Sequence, residues 1–328
     1  MHIILNSYGT TLQTQQGRFV IHTQDDGKQF IPPEQIRSIS ISKGARVSSD
    51  AVLLAIEHEI DLLFIDGTGM PKGRVWSVQY GSISTIRKSQ LEFIFSPKAV
   101  DWVKELLSFK METQIALLLT LEAPDERVMR TIQRAVNALE DHKHKLQLAQ
   151  GDIVADIAPS LRGWEGAASR RYFEALSAVL PENYQFDTRS KHPATDPFNA
   201  LLNYGYGMLY GKIEGALIRA GIDPYVGIFH RDDYNRPVLV YDVIERYRVW
   251  IDYVVLQLCL QDAFPEECFI EQNGGIWLEG LGKRILIQSV NDYLAEVIDN
   301  AGQRNARITI IQQYAYQLAK FFQKTTQS

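Results

Sequence analysis

A chain of 328 residues with a formal net charge of -5, 45% hydrophobic residues and two cysteines has the make-up of a globular protein with a large core, long enough for two folding units. No uninterrupted apolar run approaches the ~20 residues that span a bilayer, and the start MHIILNSYGTTL has no charged segment leading a long apolar one, so the expectation is a cytoplasmic protein without membrane association. Cys259 and Cys268 form neither a CxxC pair nor a zinc spacing, which points to reduced, structural thiols.

The negative charge excludes a uniformly basic nucleic-acid binder, but it is unevenly spread. Residues 1–96 carry 9 basic and 9 acidic side chains, residues 97–248 carry 19 and 21, and residues 249–328 carry 6 and 9. Arginines converging on one face can still hold DNA, especially where a metal ion cancels some of the carboxylates.

The first part of the chain is punctuated like a β domain, with turn signals at Asp25-Asp26-Gly27, Pro32-Pro33, Lys43-Gly44 and Asp66-Gly67-Thr68-Gly69. Ile36-Arg37-Ser38-Ile39-Ser40-Ile41 alternates as a half-buried strand does, and Asp61–Ile65 and Arg74–Val78 read as further strands. Ser48-Ser49-Asp50 offers a helix N-cap, followed by Val52, Leu53, Ile56 and Ile60 at helical spacing.

From about Thr85 the periodicity becomes helical, over roughly 99–120, 124–148, 164–178, 196–220, 242–260, 284–299 and 306–323. The prediction is an α+β protein: an N-terminal β domain over 1–84 and a larger all-α domain over 85–328. Gly81-Ser82-Ile83-Ser84 is the expected hinge, and Lys324–Ser328 is expected to fray.

Candidate chemistry gathers in three segments. Asp242 and Glu245, three residues apart at the start of the predicted 242–260 helix, share a face and can reach one ion; acidic residues in a first helical turn also have a simpler explanation in the macrodipole. His230 closes the apolar run Tyr225–Phe229, and a short extended segment, Val238–Tyr241, is expected to lead from its loop to the acidic pair. A single histidine at such a position also serves as an ordinary structural residue. Glu165 lies in Gly163-Trp164-Glu165-Gly166, where two glycines that each cost a helix about 1 kcal/mol suggest a close approach to the backbone; close helix packing beside an exposed glutamate is the plainer reading.

Two carboxylates and one imidazole suit magnesium or manganese, with manganese the better match to nitrogen. Such an ion polarises a phosphodiester and activates an attacking hydroxyl. Arg162, Arg170, Arg171, Arg231, Arg246 and Arg248 are candidate phosphate contacts. Tyr172, Tyr204, Tyr206 and Tyr210 are candidates for base stacking or core packing. Neither Gly205-x-Gly207 nor Gly67–Gly73 fits a nucleotide-binding loop, and His142-Lys143-His144 reads as a solvated helix face.

The chain resembles the CRISPR-associated integrases, the metal-dependent endonuclease subunit of spacer acquisition. The resemblance rests on Ile31–Ile39, Gly163–Ala168 with Tyr172-Phe173, Asp196–Tyr206, and above all Ala220–His230 continuing to Tyr241–Glu245. It implies metal ligation by Glu165, His230 and Glu245, with Asp242 as an accessory acid. Glutamate stands at the last position where some relatives have aspartate, which keeps an oxygen ligand and lengthens its reach. It further implies a homodimer formed through the β domain, a small ferredoxin-like partner subunit, and double-stranded DNA with 3′ overhangs or free 3′-OH ends. The activity implied is insertion of short fragments into CRISPR repeat DNA by 3′-hydroxyl attack. Other readings of the same residues are a stand-alone nuclease acting on branched DNA and a non-catalytic DNA-binding scaffold.

Overall fold

The computed structural model describes residues 1–23, 27–67, 69–75, 84–191, 193–230, 236–300 and 302–326. The predicted turn at Asp25-Asp26, Thr68, the strand end Trp76–Val78, the hinge residues Gly81–Ile83, the candidate Arg231 and the terminal Gln327 and Ser328 lie outside the described residues. The chain divides into two compact units, Met1–Ser82 and Ile83–Ser328. The first is strand-rich and the second mostly helical, an α+β architecture.

The N-terminal unit contains β1 (His2–Leu5), β2 (Thr11–Gln15), β3 (Arg18–His22), β4 (Lys28–Ile31), β5 (Ser38–Ile41), β6 (Arg46–Val47), α1 (Ser49–Glu57), β7 (Asp61–Ile65) and β8 (Pro71–Arg74). Two four-stranded sheets form, ordered β1-β5-β7-β8 and β4-β3-β2-β6. In the first, β1, β5 and β7 run parallel and β8 closes the edge antiparallel. Alternation along the strands sends Ile3, Leu5, Leu12, Phe19, Ile39, Ile41 and Leu62 into one core. Helix α1 starts where expected, with Ser48 accepting the Ala51 amide at 3.2 Å. It buries Ala51 and Ala55 and leaves Leu53 exposed, so its small residues, and not the predicted Leu53, face the core.

The C-terminal unit runs α2 (Ser84–Ile94), α3 (Pro97–Leu119), α4 (Glu126–Leu148), α5 (Val154–Val179), α6 (Pro197–Arg219), α7 (Val238–Ile244), α8 (Arg248–Leu260), β9 (Phe269–Gln272), β10 (Gly275–Leu278), α9 (Gly280–Ala295), β11 (Val297–Asn300), β12 (Gln303–Ala306) and α10 (Arg307–Thr326). α6 is the central helix: Phe198, Leu201, Leu202, Leu209, Ile213 and Leu217 are wholly buried, and α7, α8, α9, α10 and β10 pack around it. A helix apolar on every side belongs inside a bundle. α5 packs against both α3 and α4.

Three sequence expectations change here. The unit is not all-α, because β9–β10 and β11–β12 form two antiparallel hairpins. Each is too short to show alternation, and Gly274 and Gly302, both at positive φ, make the turns. Val238–Tyr241 is helical, part of α7, and not extended. Its consecutive buried apolar residues carry no period that separates a strand from a buried helix. α5 begins at Val154, ten residues ahead of the predicted start, because Pro159 and Gly163 hide its first turns from a propensity reading. No described helix is long and apolar enough to cross a membrane.

Candidate active site

Glu165, near the middle of α5, and Glu245, the residue that caps α7, meet at a third residue that carries no motif of its own. Lys110 of α3 is buried, and its ammonium forms a hydrogen-bonded ion pair with Glu165 Oε1. The same Nζ stands 2.6 Å from Glu245 Oε2. That second contact is close but poorly directed, since Glu245 Oε2 is buried without an aligned hydrogen-bond donor. The other oxygen, Oε1, accepts from Arg248 Nε at 2.8 Å, and Ser169 Oγ donates to Glu165 Oε1 at 3.0 Å.

Burial alone pushes the Glu245 carboxyl up, yet Arg248 and Lys110 outweigh it and hold the group at about 2. His230 adds to that downward pull, a measure of its nearness to Glu245. Burial likewise disfavours the Lys110 charge, and Glu245 and Glu165 together reverse it, so the ammonium is held above its ordinary range. Glu245 therefore lies ionised between two cations, Arg248 and Lys110, and the second of these also meets Glu165.

His230 is oriented from behind. Asp242, wholly buried on α7, accepts from the backbone amides of Ile228 at 2.8 Å and Phe229 at 3.1 Å through Oδ2, and from that of His230 at 2.9 Å through Oδ1. His230 Nδ1 lies 2.6 Å from the same Oδ1. A carboxylate in this setting only accepts, so Nδ1 carries the proton and Nε2 is left as the nitrogen able to bind a metal. Asp242 is thus committed to shaping the loop and holding the imidazole, which replaces its expected role as an acid sharing the ion with Glu245.

The loop itself is pinned at its base by Gln90 of α2. Its Nε2 donates to Asp223 O at 2.8 Å and Val226 O at 3.0 Å, while Oε1 accepts from Asp223 N at 3.0 Å. Arg162 reaches the same loop, with its guanidinium 5.9 Å from the Phe229 ring centroid.

Two of the expected phosphate contacts have internal work. Arg248 stacks 4.8 Å from the Tyr206 ring centroid besides pairing with Glu245. Arg246 is held between Phe109, 3.9 Å away, and Tyr314, 4.8 Å away. Tyr204, Tyr206 and Tyr210 are buried, and Tyr210 packs 5.3 Å from Tyr241, so all three are packing residues. Arg170 and Arg171 are exposed on α5, Arg171 pairing with Glu174 at 2.7 Å. Gly163 and Gly166 are exposed, and a Cβ added at either would meet open space.

Behind the site lies a polar layer that the sequence did not reveal. Asp252 of α8 is wholly enclosed, accepting from Tyr172 OH at 2.9 Å and from Tyr206 OH. Burial lifts its carboxyl to about 6 against the pull of those two hydrogen bonds. Arg189 donates to Asn199 Oδ1 at 2.7 Å and Asn203 Oδ1 at 2.6 Å, and lies over Tyr206 at 5.4 Å. Lys110 and Asp252 do leave a trace in the sequence, since each is a charged residue at a core position of an otherwise apolar helix face: Val103, Leu106, Leu107, Lys110, Met111 on α3 and Ile251, Asp252, Val255, Leu256 on α8.

Among the described residues no group of three His, Cys, Asp or Glu side chains is assembled to hold a metal ion; Lys110 takes the position between the two carboxylates. The donor set nonetheless suits a hard or borderline divalent cation. It offers two carboxylates, an imidazole presented through Nε2, and in Glu245 Oε2 a buried oxygen that lacks a directed partner.

A model of the family described as CRISPR associated protein Cas1 matches residues 3–292. The CRISPR-associated endonuclease Cas1 1 of Archaeoglobus fulgidus is 29% identical over 333 residues, spanning 98% of this chain and 96% of its own. A protein of the same description from Pyrobaculum aerophilum is 30% identical, over 79% of this chain and 82% of its own. Among solved structures, a casposase bound to integration product superposes with a TM-score of 0.84 at 19% identity, covering 99% of this chain and 91% of that one. A CAS1 protein from Thermotoga maritima gives 0.80 at 20% identity, covering 98% and 96%. A chain of a Cas6-RT-Cas1–Cas2 complex gives 0.82 at 22% identity; 99% of this chain is covered, and it spans 35% of that longer one. The structural likenesses bear on the fold, and the sequence matches carry the assignment: this chain belongs to the CRISPR-associated protein Cas1 family.

Proposed function

We propose that this protein is a metal-dependent DNA integrase of CRISPR adaptation, joining the 3′-hydroxyl ends of short DNA fragments to CRISPR repeat DNA. The observation that carries the reading is the convergence of Glu165 and Glu245 on one cation position, beside a histidine whose Nδ1 is held by Asp242, in a chain of the Cas1 family. Glu165, His230 through Nε2, and Glu245 would hold magnesium or manganese. Bound there, such an ion supplies Lewis-acid activation of a hydroxyl and charge stabilisation on phosphate.

The reaction is a transesterification. The fragment's 3′ oxygen bonds to phosphorus as the bond from that phosphorus to its former 3′ oxygen breaks; the attacking hydroxyl loses a proton and the departing oxygen gains one. One phosphodiester replaces another, so no covalent protein intermediate and no energy-carrying cofactor is required. Arg248 and Lys110 keep Glu245 ionised, Asp242 fixes the imidazole tautomer, and Arg170 and Arg171, exposed on α5, would meet backbone phosphates. The exposed Gly163 and Gly166 would let a DNA strand approach close to Glu165. The β domain would pair two copies, and a small ferredoxin-like subunit would complete the assembly.

The test is strand transfer of a labelled duplex with free 3′-hydroxyls into a supercoiled plasmid carrying a repeat array, with manganese and the partner subunit. Joined product that disappears in Glu165→Ala is the expected result. Nicking without joining would replace the integrase reading by a nuclease, and binding with neither would make the protein a scaffold.

A further inference from the structure

The two carboxylates proposed as metal ligands are not waiting as an open pair. Lys110 reaches them from α3, buried to a relative exposure of 5%, and bridges Glu165 Oε1 and Glu245 Oε2 with one ammonium. Its neighbours on the same helix face, Leu106, Leu107 and Met111, are wholly or almost wholly buried, so the side chain is held by packing and is not free to swing into solvent.

We propose that Lys110 is a built-in counter-cation that occupies the place of the divalent ion in the metal-free protein and competes with it, so that Lys110 sets how tightly the site takes metal. This rests on the reading of Glu165, His230 and Glu245 as the ligands. The physical argument is charge balance. Two carboxylates brought together in a poorly solvated site repel one another unless a cation lies between them. Without metal, Lys110 is the cation between the two carboxylates, while Arg248 pairs with Glu245 through its other oxygen; a divalent ion brought between them makes the bridging ammonium surplus, and it must withdraw from at least one of them. Both contacts are ion pairs, the one to Glu165 at its half-exposed end of the site and the one to Glu245 inside the protein, and whichever is given up leaves Lys110 as a positive charge beside the ion.

Lys110 is thus a positioning residue with two opposed effects. It stabilises the metal-free fold, and it weakens metal binding by the part of its hold on the carboxylates that it must give up. Neutral residues of similar length reverse both.

The experiment is manganese titration by electron paramagnetic resonance on the full-length protein, with thermal melting of the metal-free form, for wild type, Lys110→Met, Lys110→Arg and His230→Ala. Lys110→Met should bind manganese on the order of tenfold more tightly or better, and its metal-free form should melt several degrees lower. Lys110→Arg, which keeps the cation, should stay close to wild type in affinity. Unchanged or weaker manganese binding in Lys110→Met, or equal tightening in Lys110→Arg, would overturn the proposal. Should Lys110→Met not fold, a manganese-bound crystal structure of the wild-type protein decides: the ammonium is expected to have left at least one of the two carboxylates, and an ammonium still bridging both beside the bound ion would overturn it. If wild type and His230→Ala both take up no manganese, the ligand reading itself fails, and the role of Lys110 falls with it; tight wild-type binding with an indifferent Lys110→Met removes only the inference drawn here.

Discussion

Asp242 grips His230 twice, through the backbone amide at 2.9 Å and through ring Nδ1 at 2.6 Å, both on the same carboxylate oxygen. One buried group therefore fixes the loop, the ring angle and the tautomer together. Asp242→Asn should keep the fold but present an amide where an acceptor is needed, lowering manganese affinity or joining rate by about 10–100-fold, the usual effect of losing a partner behind a metal-binding histidine. A manganese titration with parallel joining rates checks it, and an unchanged affinity and rate would show that the tautomer is set elsewhere.

Gly227 sits against this loop with no room for a side chain. A Cβ there would lie 2.8 Å from Val238 Cγ2 and 2.9 Å from the His230 carbonyl oxygen. The valine can yield and the backbone cannot without moving His230. Gly227→Ala should lose about 1–3 kcal/mol of stability and joining activity together, measured by chemical denaturation and by strand transfer.

Asp252 gives the fold a pH signature. Its carboxyl is raised from 3.8 to about 6 in the folded protein, so the folded state binds the proton more tightly than the unfolded one. The stability it contributes is fully present below pH 3.8 and is lost as pH rises through about 6. The span is worth roughly 3 kcal/mol at 1.36 kcal/mol per unit. Asp252→Asn, which cannot titrate, should lose this part of the slope of unfolding free energy between pH 4 and 6. Identical slopes in the two proteins would refute the assignment.

The arginines divide by surroundings. Arg246, stacked on Phe109 and Tyr314, is expected to act through packing, so Arg246→Ala should lower the melting temperature and leave the salt dependence of DNA binding nearly unchanged. Arg170 and Arg171 are exposed, and replacing both should reduce the slope of log affinity against log salt by about 0.9 for each phosphate that is no longer neutralised. Fluorescence anisotropy across a salt series separates the two cases.

Much of this is legible in the sequence because local signals agree with tertiary structure. Ser48 caps a helix as its type predicts, Asp61–Ile65 is a strand within the bounds its pattern gives, and α3, α4 and α6 follow their apolar period. Glu165 and Glu245 meet in space, and the glycine-flanked and acidic segments that carry them single both out. The rest depends on long-range partners. Nothing near Lys110 in sequence shows that its charge is balanced by Glu165 and Glu245, on two other helices far along the chain. Asp242 reads as a ligand by spacing, whereas its oxygens are occupied by the amides of Ile228, Phe229 and His230. Arg246 and Arg248 read as phosphate contacts because arginine usually presents its fork at a surface; stacking on Phe109 and Tyr206 is a tertiary fact.

The central claim is tested most directly by single-turnover strand joining in manganese by wild type and by Glu245→Gln, with DNA affinity measured on the same preparations. Glu245→Gln removes a ligand charge and keeps the shape, so the expected result is a loss of joining on the order of 100-fold or more with DNA affinity within a few-fold of wild type. Joining at the wild-type rate with DNA binding intact would contradict it.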